Sequence, residues 1–434
     1  MELLLKNIRA VDPQTGIDRV TDIVIDSGKI AAIGGENVSA ERTIDCTGLV
    51  AVPGLFDMHV HWRDPGFTDK EDILTGAEAA KAGGVTGVLL MPNTDPPVDS
   101  AETVKYILDK GRTTGINVYT SACITKGMAS GELCDYDELK AAGVFCITDD
   151  GRPVKNAELM RRALELSKDN GLCVCSHCED LDIINGGIIN KGKVSEALGV
   201  KGMDRASEDY ITAREIALAA SCGAHVHICH VSTRGSVNII RAAKAYGADV
   251  TCETAPHYFT YTEDKLMSRD ADYRMSPPLR TEDDRQAIEE ALLDGTIDCI
   301  ITDHAPHTAE QKSDFEKAPN GVVGLETSLS ATLTKLYHGG KCGIADIVKL
   351  MAVNPRRILG LPPVKIAEGE AAELCIFDPE RTWTVEPSKL HSKSKNTVFK
   401  GETFKGRVMY TICGGKVVYE TREALEALEA LEGE

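Results

Sequence analysis

The sequence has no surplus of basic residues and no long apolar run, and each absence excludes a class of function. Lysine and arginine number 48 against 67 aspartate and glutamate residues, which leaves a formal net charge of −19. Without a basic stripe to neutralise phosphates, we expect no nucleic-acid partner. No stretch approaches the roughly 20 apolar residues of a membrane span. Residues 1–6 also lack the basic segment and the apolar length of a secretory signal peptide, so we expect no membrane association.

The cysteine pattern argues against a disulfide framework. The 14 cysteines are scattered through apolar runs, which is typical of reduced, buried thiols and predicts a cytoplasmic protein. Cys175 and Cys178 form a C-x-x-C pair inside a strand-like run. Because no second pair stands at zinc-finger spacing, a redox or metal role for this pair is the less favoured alternative.

The two ends of the chain are β-rich in the same way. Residues 22–25 and 29–33 alternate around Asp26-Ser27-Gly28, a hairpin turn signal, and residues 408–412 and 416–419 flank a Gly-Gly turn. We predict that residues 1–52 and 362–422 pair as one small β-sandwich domain. The low-complexity residues 423–434 are expected to form a helical or disordered tail.

The middle of the chain alternates apolar, strand-like runs with helical segments, which indicates βα units and a parallel sheet. Eight such runs can be counted, the number of a (β/α)8 barrel, so we predict an α/β fold with a TIM-like barrel over residues 53–361. The runs span residues 50–61, 84–92, 116–124, 143–150, 172–179, 224–232, 249–258 and 298–305.

The strand ends of this barrel carry metal-ligand side chains. His59 and His61 stand two apart in a D-x-H-x-H stretch, so on a strand they point to one face and can reach one cation. Active sites of these barrels lie at the C-terminal strand ends, where four more histidine or aspartate residues are expected. Six ligands with two carboxylates indicate two cations. The further four are Asp150, His177, His230 and Asp303.

Structural explanations remain open for several of these residues. Asp149 or Asp150 could cap the helix after Gly151, and His177 and His230 could be satisfied core histidines. Asp303 is harder to explain as structure, because a carboxylate on a buried strand is costly. Two other histidines, at positions 225 and 227, have the opposite strand parity to His230, so we expect them to face the helix layer.

The motifs together resemble the bacterial dihydroorotases of the amidohydrolase superfamily, the type with an aspartate at the metal bridge. The resemblance covers nearly the whole chain. It is carried by the stretches H-V-H-W-R-D-P-G at 59–66, M-P-N-T at 91–94, D-D-G at 149–151, H-C-E-D at 177–180, H-V-S-T at 230–233 and T-D-H-A-P-H at 302–307.

The resemblance implies a zinc site with two ions per subunit. One ion would be held by His59, His61 and Asp303, and the other by His177 and His230. Asp150 would bridge the two, where related hydantoinases use a carboxylated lysine.

The resemblance also implies contacts to the substrate. Arg63 and Asn93 would grip its carboxylate, and His307 would add a contact; an Arg fork suits a carboxylate because it binds both oxygens. A surface salt bridge for Arg63 and a turn role for Asn93 are the structural alternatives. Ser276 departs from the asparagine that many dihydroorotases carry before P-P-L-R, so its predicted substrate contact has a weaker basis.

The implied reaction is the reversible cyclisation of N-carbamoyl-L-aspartate to L-dihydroorotate in pyrimidine synthesis, with Asp303 exchanging the proton. Two alternatives stay open. One is another cyclic amidase, such as a hydantoinase or allantoinase, which Ser276 favours. The other is an inactive partner of aspartate carbamoyltransferase, although all six ligand positions are filled. A homodimer and association with that transferase are family-level expectations, and residues 308–321 are interpreted as either a closing lid or a static loop.

Overall fold

The computed structural model describes residues 1–35, 39–422 and 424. Its strands are β1 Leu3–Asp12, β2 Ile17–Asp26, β3 Lys29–Ile33, β4 Arg42–Asp45, β5 Val50–Pro53, β6 Leu55–Val60, β7 Val85–Leu90, β8 Asn117–Thr120, β9 Cys146–Ile147, β10 Cys173–Ser176, β11 Ile189–Asn190, β12 Gly202–Met203, β13 Val226–Ile228, β14 Val250–Thr254, β15 Cys299–Ile300, β16 Leu374–Thr384, β17 Thr403–Cys413 and β18 Lys416–Glu420.

Helices follow most of the central strands. They are α1 Ile73–Ala82, α2 Ala101–Gly111, α3 Tyr136–Ala141, α4 Ala157–Asn170, α5 Leu181–Ile184, α6 Lys193–Leu198, α7 Ala206–Cys222, α8 Arg234–Ala245, α9 Pro256–Thr260, α10 Glu282–Leu293, α11 Ser328–Thr332, α12 Ile344–Val348 and α13 Asn354–Ile358. Short 3₁₀ turns span Lys126–Met128, Glu263–Ser268, Ala271–Tyr273 and Pro387–Lys389, and π-helical segments span Leu333–Tyr337 and Lys349–Val353.

The central strands close into a parallel barrel. One group runs β6-β7-β8 and the other β15-β14-β13-β10-β9. Parallel bridges between Ala122 and Ile147 and between Val60 and His304 join the two groups at both seams. Each of the eight predicted runs therefore contributes a barrel strand, and their carboxyl ends meet at one rim.

One predicted run divides into two strands. Val50–Pro53 pairs with β1 and β16, whereas Leu55–Val60 pairs with β7 in the barrel. The break falls at Gly54, where an added Cβ would lie 2.1 Å from the Thr86 side-chain oxygen. A single continuous strand over 50–61 was thus the wrong prediction, because the chain leaves one sheet and enters another at this glycine.

Both chain ends contribute to a second, eight-stranded sheet. Its order is β18-β17-β16-β5-β1-β2-β3, with β4 paired to β1. The predicted hairpin around Asp26-Ser27-Gly28 is present as β2 and β3. The apolar side chains of this eight-stranded sheet, among them Leu5, Ile23 and Ile376, form a core cluster separate from that of the barrel. The domain limits given above stay a prediction. The tail predicted at 423–434 lies outside the described residues, except for Ala424.

Helix α4 shows how local sequence sets the elements around the barrel. Asn156 caps its start by accepting a hydrogen bond from the Leu159 amide, and Gly171 ends it with φ +60°. Met160, Ala163 and Leu164 form its buried face, at the i, i+3, i+4 spacing of an amphipathic helix. In the described part of the chain, none of the helices has the length and apolar character needed to cross a membrane.

A buried carboxylate ties the barrel to the segment that follows β16. Glu71, fully buried before α1, accepts hydrogen bonds from the Ser392 hydroxyl, the Lys393 amide and the Thr75 hydroxyl. Burial alone would raise its pKa, but His304 at 3.5 Å and these donors hold the pKa of Glu71 below its usual value. Its ionised form therefore stabilises the fold.

Replacing Glu71 with Gln is expected to lower the free energy of unfolding by roughly 2–3 kcal/mol at pH 7, because buried donors lose a charged acceptor. A lowered folded-state pKa means that this contribution is present above the unfolded pKa, near 4.5, and is lost as the pH falls through the folded value. Urea unfolding at pH 7 and pH 4 measures both effects. The control is Glu78→Gln, which changes an exposed glutamate on α1. Equal losses of unfolding free energy in the two variants would contradict a stabilising role for the buried Glu71 carboxylate.

Candidate active site

Polar side chains from the strand ends surround one cavity of about 350 Å³. Nine of the ten predicted site residues line it, and the tenth, His59, lies fully buried beneath them. The lining residues among the predicted set are His61, Arg63, Asn93, Asp150, His177, His230, Ser276, Asp303 and His307. The fold thus brings the predicted set together at the C-terminal rim of the barrel.

We number the barrel strands one to eight along the chain, as β6, β7, β8, β9, β10, β13, β14 and β15. The first group of donors comes from strands one and eight, joined by Asp150 after strand four. His61 Nε2 lies 3.2 Å from Asp303 Oδ1 and 3.5 Å from Asp150 Oδ2. His59 Nε2 lies 3.5 Å from Asp150 Oδ1 and 3.7 Å from Asp303 Oδ1. Two imidazole nitrogens and two carboxylates therefore converge on one point.

The second group comes from strands five and six. His177 Nδ1 lies 2.9 Å from His230 Nε2, and these atoms are 3.3 and 3.8 Å from Asp150 Oδ1. Asp150 consequently stands between both histidine groups, its two oxygens shared between them. The backbone is strained where two of these donors are placed, with φ +32° at His230 and φ +48° at Asp303.

These groups fit a pair of divalent cations. His59 Nε2 and Asp150 Oδ1 are buried and have no hydrogen-bond partner, although buried polar atoms are normally satisfied. The donors His59, His61 and Asp150, and again Asp150, His177 and His230, lie within 4.8 Å of one another. Nitrogen and oxygen donors of this kind suit divalent metals such as zinc.

The electrostatics of the site also demand positive charge. Burial works against charged imidazole, yet Glu253 and Asp150 raise the pKa of His59 well above its usual value. In the same way Asp150 and Glu179 raise the pKa of His177 to about 10, against the effect of burial. The carboxylates therefore favour positive charge beside these rings, which bound cations would supply.

Two carboxylates that were not predicted orient the histidines. Glu253 Oε1 lies 2.6 Å from His59 Nδ1, and Glu179 Oε2 lies 2.8 Å from His177 Nε2. A carboxylate accepts, so each ring keeps its proton on that side and presents its other nitrogen to the centre. Glu253 sits on the fully buried strand β14. The argument that singled out Asp303, a carboxylate on a buried strand, would have found it.

The two aspartates at 149 and 150 have different surroundings. Asp149 accepts hydrogen bonds from the Ile124 and Thr125 amides and from the Thr125 hydroxyl, so it joins the ends of strands three and four. Asp150 instead faces the histidines. Asp57, the first residue of the D-x-H-x-H stretch, accepts from the amides of His59 and Thr302 and so joins strands one and eight.

The expectation that His225 and His227 face the helix layer was wrong, because both rings join the Thr251 hydroxyl in the barrel interior. His227 is fully buried, with Nε2 3.1 Å from Glu253 Oε2 and Nδ1 2.7 Å from the Thr251 hydroxyl. The parity argument counted back from His230, but β13 ends at Ile228 and His230 has a positive φ. The alternation of side chains holds only within an extended strand.

The predicted substrate-side residues lie around the mouth of the cavity. Arg63 donates from Nε to the Pro306 carbonyl at 3.4 Å, and Nη2 is 3.5 Å from His307 Nε2. Burial, and then the charge of Arg63, lower the pKa of His307 to about 2, so this imidazole is neutral. His307 donates from Nε2 to the Asn320 carbonyl at 2.8 Å, and its buried Nδ1 has no partner.

Asn93 and Ser276 contact the proposed metal ligands and their supporting groups. Asn93 Oδ1 lies 2.8 Å from His61 Nδ1, and its amide donates to Asp150 Oδ2 at 3.3 Å. The Ser276 hydroxyl donates to Glu179 Oε2 at 2.7 Å. Both side chains therefore reach the cavity and brace the histidine groups as well.

The loop at 308–321 ends over the cavity and is anchored within the fold. Lys312 donates to the carbonyl oxygens of Arg274, Pro319 and Gly321 at 3.0–3.2 Å. Gly321 has φ +138°, and a Cβ there would lie 2.7 Å from the Ala305 carbonyl, so only glycine fits. These contacts hold the loop against the rim in this conformation.

The C-x-x-C cysteines do not form a pair. Cys178 donates to the carbonyl oxygen of Ser176, whereas Cys175 Sγ lies 3.2 Å from Cys146 Sγ. All 14 cysteines are free thiols, and twelve are buried.

Comparison with known proteins places these observations in a family. A family model described as Dihydro-orotase-like matches residues 48–236. A dihydroorotase of Geobacter metallireducens is 48% identical over 424 residues, covering 97% of this chain and all of that protein. A dihydroorotase of Trichlorobacter lovleyi is also 48% identical, over 426 residues, with the same coverage.

Solved structures show the same architecture. An L-hydantoinase (dihydropyrimidinase) from Arthrobacter aurescens superposes with a TM-score of 0.85 at 26% identity, covering 96% of each chain. A D-hydantoinase (dihydropyrimidinase) from a Thermus species gives 0.80 at 25% identity, again over 96% of each chain. The predicted fold class was a TIM-like barrel with a small β-sandwich domain built from both chain ends. It is confirmed as a barrel with a β-rich second domain.

Proposed function

This chain belongs to the dihydroorotase family, a family of cyclic amidohydrolases, and we infer from that membership that it catalyses the reversible cyclisation of N-carbamoyl-L-aspartate to L-dihydroorotate. The observation that carries the inference to the site is Asp150, a carboxylate shared between two histidine groups at the floor of one cavity. This is the arrangement that the family resemblance implies, with an aspartate at the bridge.

We propose that two zinc ions bind here. His59, His61 and Asp303 would hold one, His177 and His230 the other, and Asp150 would join both. Ions bound in this way would lower the pKa of a water molecule and polarise the carbonyl that it attacks. The support is the donor set, its orphaned buried atoms and the excess of carboxylate charge around it.

Asp303 is the proposed acid and base. In ring closure the carbamoyl nitrogen forms a bond to the side-chain carboxyl carbon and loses a proton to Asp303. One C–O bond of that carboxyl group breaks, and the departing oxygen takes this proton from Asp303 and a second proton from solvent, so that it leaves as water. In ring opening Asp303 returns a proton to the ring nitrogen as the C–N bond breaks. Burial raises and His61 lowers the pKa of Asp303, with a net lowering, so the carboxylate is ionised and ready to accept.

Arg63, Asn93 and His307 are the proposed substrate contacts. Arg63 reaches the cavity with part of its guanidinium unpaired to any carboxylate in the described structure, so a carboxylate of the substrate would complete its coordination. For Ser276 we propose a second task besides substrate contact, namely to hold Glu179 against His177.

The alternative activity on hydantoins has a specific basis, because solved hydantoinases share the fold. Ser276 also departs from the asparagine that the dihydroorotase resemblance leads us to expect. At about a quarter identity that likeness is weaker than the near-half identity to dihydroorotases. The inactive-partner alternative is disfavoured because every proposed ligand points to the centre. A homodimer, association with aspartate carbamoyltransferase and a cytoplasmic location stay predictions.

A paired turnover assay tests the function. Purified protein loaded with zinc is offered dihydroorotate and hydantoin separately, each with a chelated control. We expect chelator-sensitive turnover of dihydroorotate alone. Turnover of hydantoin alone would place the chain among the other amidases, and no turnover of either by the metal-loaded protein would favour the inactive partner.

Replacing Arg63 with Lys is expected to lower kcat/KM for dihydroorotate by roughly 10- to 100-fold, mainly through KM. Lysine keeps the charge but loses the planar fork that binds two carboxylate oxygens, a difference of about 1.5–3 kcal/mol. Steady-state kinetics in both directions measures it. Arg112→Lys, an exposed site away from the cavity, is the control. An unchanged KM in Arg63→Lys would remove Arg63 from substrate binding.

A further inference from the structure

A series of hydrogen-bonded side chains runs through the barrel, away from the candidate metal centre. It begins with His59, whose Nδ1 meets Glu253 Oε1 at 2.6 Å. The other oxygen of Glu253 meets His227 Nε2 at 3.1 Å. All three side chains are fully buried. We use the name barrel column for five of these residues, which are Glu253, His227, Thr251, His225 and Asp249.

The barrel column continues to the opposite end of the barrel. His227 Nδ1 lies 2.7 Å from the Thr251 hydroxyl, which lies 3.1 Å from His225 Nε2. His225 Nδ1 then lies 2.8 Å from Asp249 Oδ1. His225 and Asp249 immediately precede β13 and β14, and their side chains are 24% and 73% exposed. The column therefore links the strand-end histidine to solvent at the N-terminal rim.

Both ends of the column are carboxylates, which accept hydrogen bonds when ionised and do not donate. Glu253 can only accept, so His227 carries a proton on Nε2, and its Nδ1 can accept from the Thr251 hydroxyl. The single hydroxyl proton of Thr251 goes to that nitrogen, which leaves the Thr251 oxygen to accept from His225. Asp249 also accepts from His225.

In this arrangement His225 donates from both nitrogens, to Thr251 and to Asp249. Burial lowers its pKa, but the Cys173 sulfur and the Asp249 carboxylate outweigh that effect and raise the pKa of His225 to about 9. A positive charge on His225 thus lies at the partly exposed end, where solvation costs least, and the buried end keeps a carboxylate that accepts from two rings.

We propose that His227 and Thr251 are positioning residues for the metal centre: by fixing Glu253, they keep the His59 proton on Nδ1 and leave Nε2 free for a cation. This inference rests on the proposed metal site. Hydrogen bonds beyond the ligands fix ring orientation and tautomer, and losing one commonly costs 10- to 100-fold in metal affinity. His227 acts through Glu253 and does not reach the cavity lining.

The test measures zinc affinity of the metal-free full-length protein by competition with a chromophoric chelator, without substrate. We expect His227→Leu to weaken one of two zinc sites by roughly 10- to 100-fold. His227→Gln, whose amide can still donate to Glu253, is expected to restore most of that loss. Thr251→Val, nearly the same shape without the hydroxyl, is expected to weaken the same site by a smaller factor.

His338→Leu serves as the matched control, because His338 hydrogen-bonds to the Pro379 carbonyl, packs against Tyr337 and does not line the cavity. Zinc affinity unchanged in both folded His227→Leu and Thr251→Val would overturn the proposal. If His227→Leu does not fold, the zinc affinity of Thr251→Val decides the proposal. This change removes only the hydroxyl that contacts His227 and His225 and leaves the side-chain volume almost unchanged. Cobalt substitution adds a signature, because the visible spectrum of bound Co²⁺ should change only in the column variants.

The same assay separates this proposal from the proposed function. Wild-type protein that binds no zinc would contradict the metal site, and with it the column proposal. Wild-type protein that binds zinc but does not turn over dihydroorotate would contradict the function, while the affinities of the variants would still decide the column.

Discussion

Replacing Asp303 with Asn is expected to lower turnover of dihydroorotate and of N-carbamoyl-L-aspartate by about 10²- to 10⁴-fold, the usual contribution of a positioned acid or base. The amide cannot accept the proton that the mechanism passes through Asp303. Because both directions use the same proton transfer, the two rates should fall by the same factor. Steady-state rates in both directions, with zinc content measured on the same samples, test this.

The control for Asp303→Asn is Asp314→Asn, an exposed carboxylate on the loop that follows strand eight. It should leave both rates unchanged. The prediction concerns chemistry rather than folding, so circular dichroism of Asp303→Asn should match the parent protein. A folded, zinc-loaded Asp303→Asn protein with most of its activity would remove Asp303 from the mechanism.

Replacing Asp150 with Asn is expected to abolish stable binding of both cations and to lower turnover by more than about 10³-fold. Asp150 lies within 3.3–3.8 Å of all four histidines, so one change removes the negative charge that both sites share. Cations that stabilise the transition state by several kcal/mol correspond to a thousand-fold or larger loss. Zinc per chain, measured by mass spectrometry after dialysis, should fall from two to less than one.

Asp149→Asn is the matched control, since it changes the neighbouring aspartate in the same way. Asp149 is bonded to Ile124 and Thr125 and not to the histidines. This variant should lose roughly 1–3 kcal/mol of unfolding free energy, because a buried charged acceptor is lost, and keep its two zinc ions. Loss of zinc in Asp149→Asn with retention in Asp150→Asn would reverse the assignment of the bridge.

Much of the site could be predicted because it depends on short-range patterns. The D-x-H-x-H spacing places two side chains on one strand face whatever the rest of the chain does. Strand ends with histidine or aspartate in five of eight βα units then indicate a shared rim, since parallel strands in a barrel end on the same side. Strand spacing and strand ends indicated the six proposed ligands, and the family resemblance implied the four substrate-side residues. All ten lie at or beneath one cavity, although their roles stay proposals.

The errors came where a local pattern was extended past its element. His227 was misplaced because the strand ends two residues before His230 and the backbone turns into a positive φ. The run over 50–61 was read as one strand because apolar character does not reveal that Gly54 passes the chain from one sheet to another. In both cases the hydrophobic pattern was right and the backbone geometry was not contained in it.

The sequence by itself determined the barrel, the family and the donors, because strand period, motif spacing and ligand chemistry are properties of neighbouring residues. The tertiary structure alone decided which atoms those donors meet. Glu253 supports His59 from 194 positions away, and Ser276 reaches Glu179 from 97 positions away. Such pairings depend on how eight strands close around an axis, and on which buried donors and acceptors then lie within hydrogen-bond distance. A linear pattern carries no record of either.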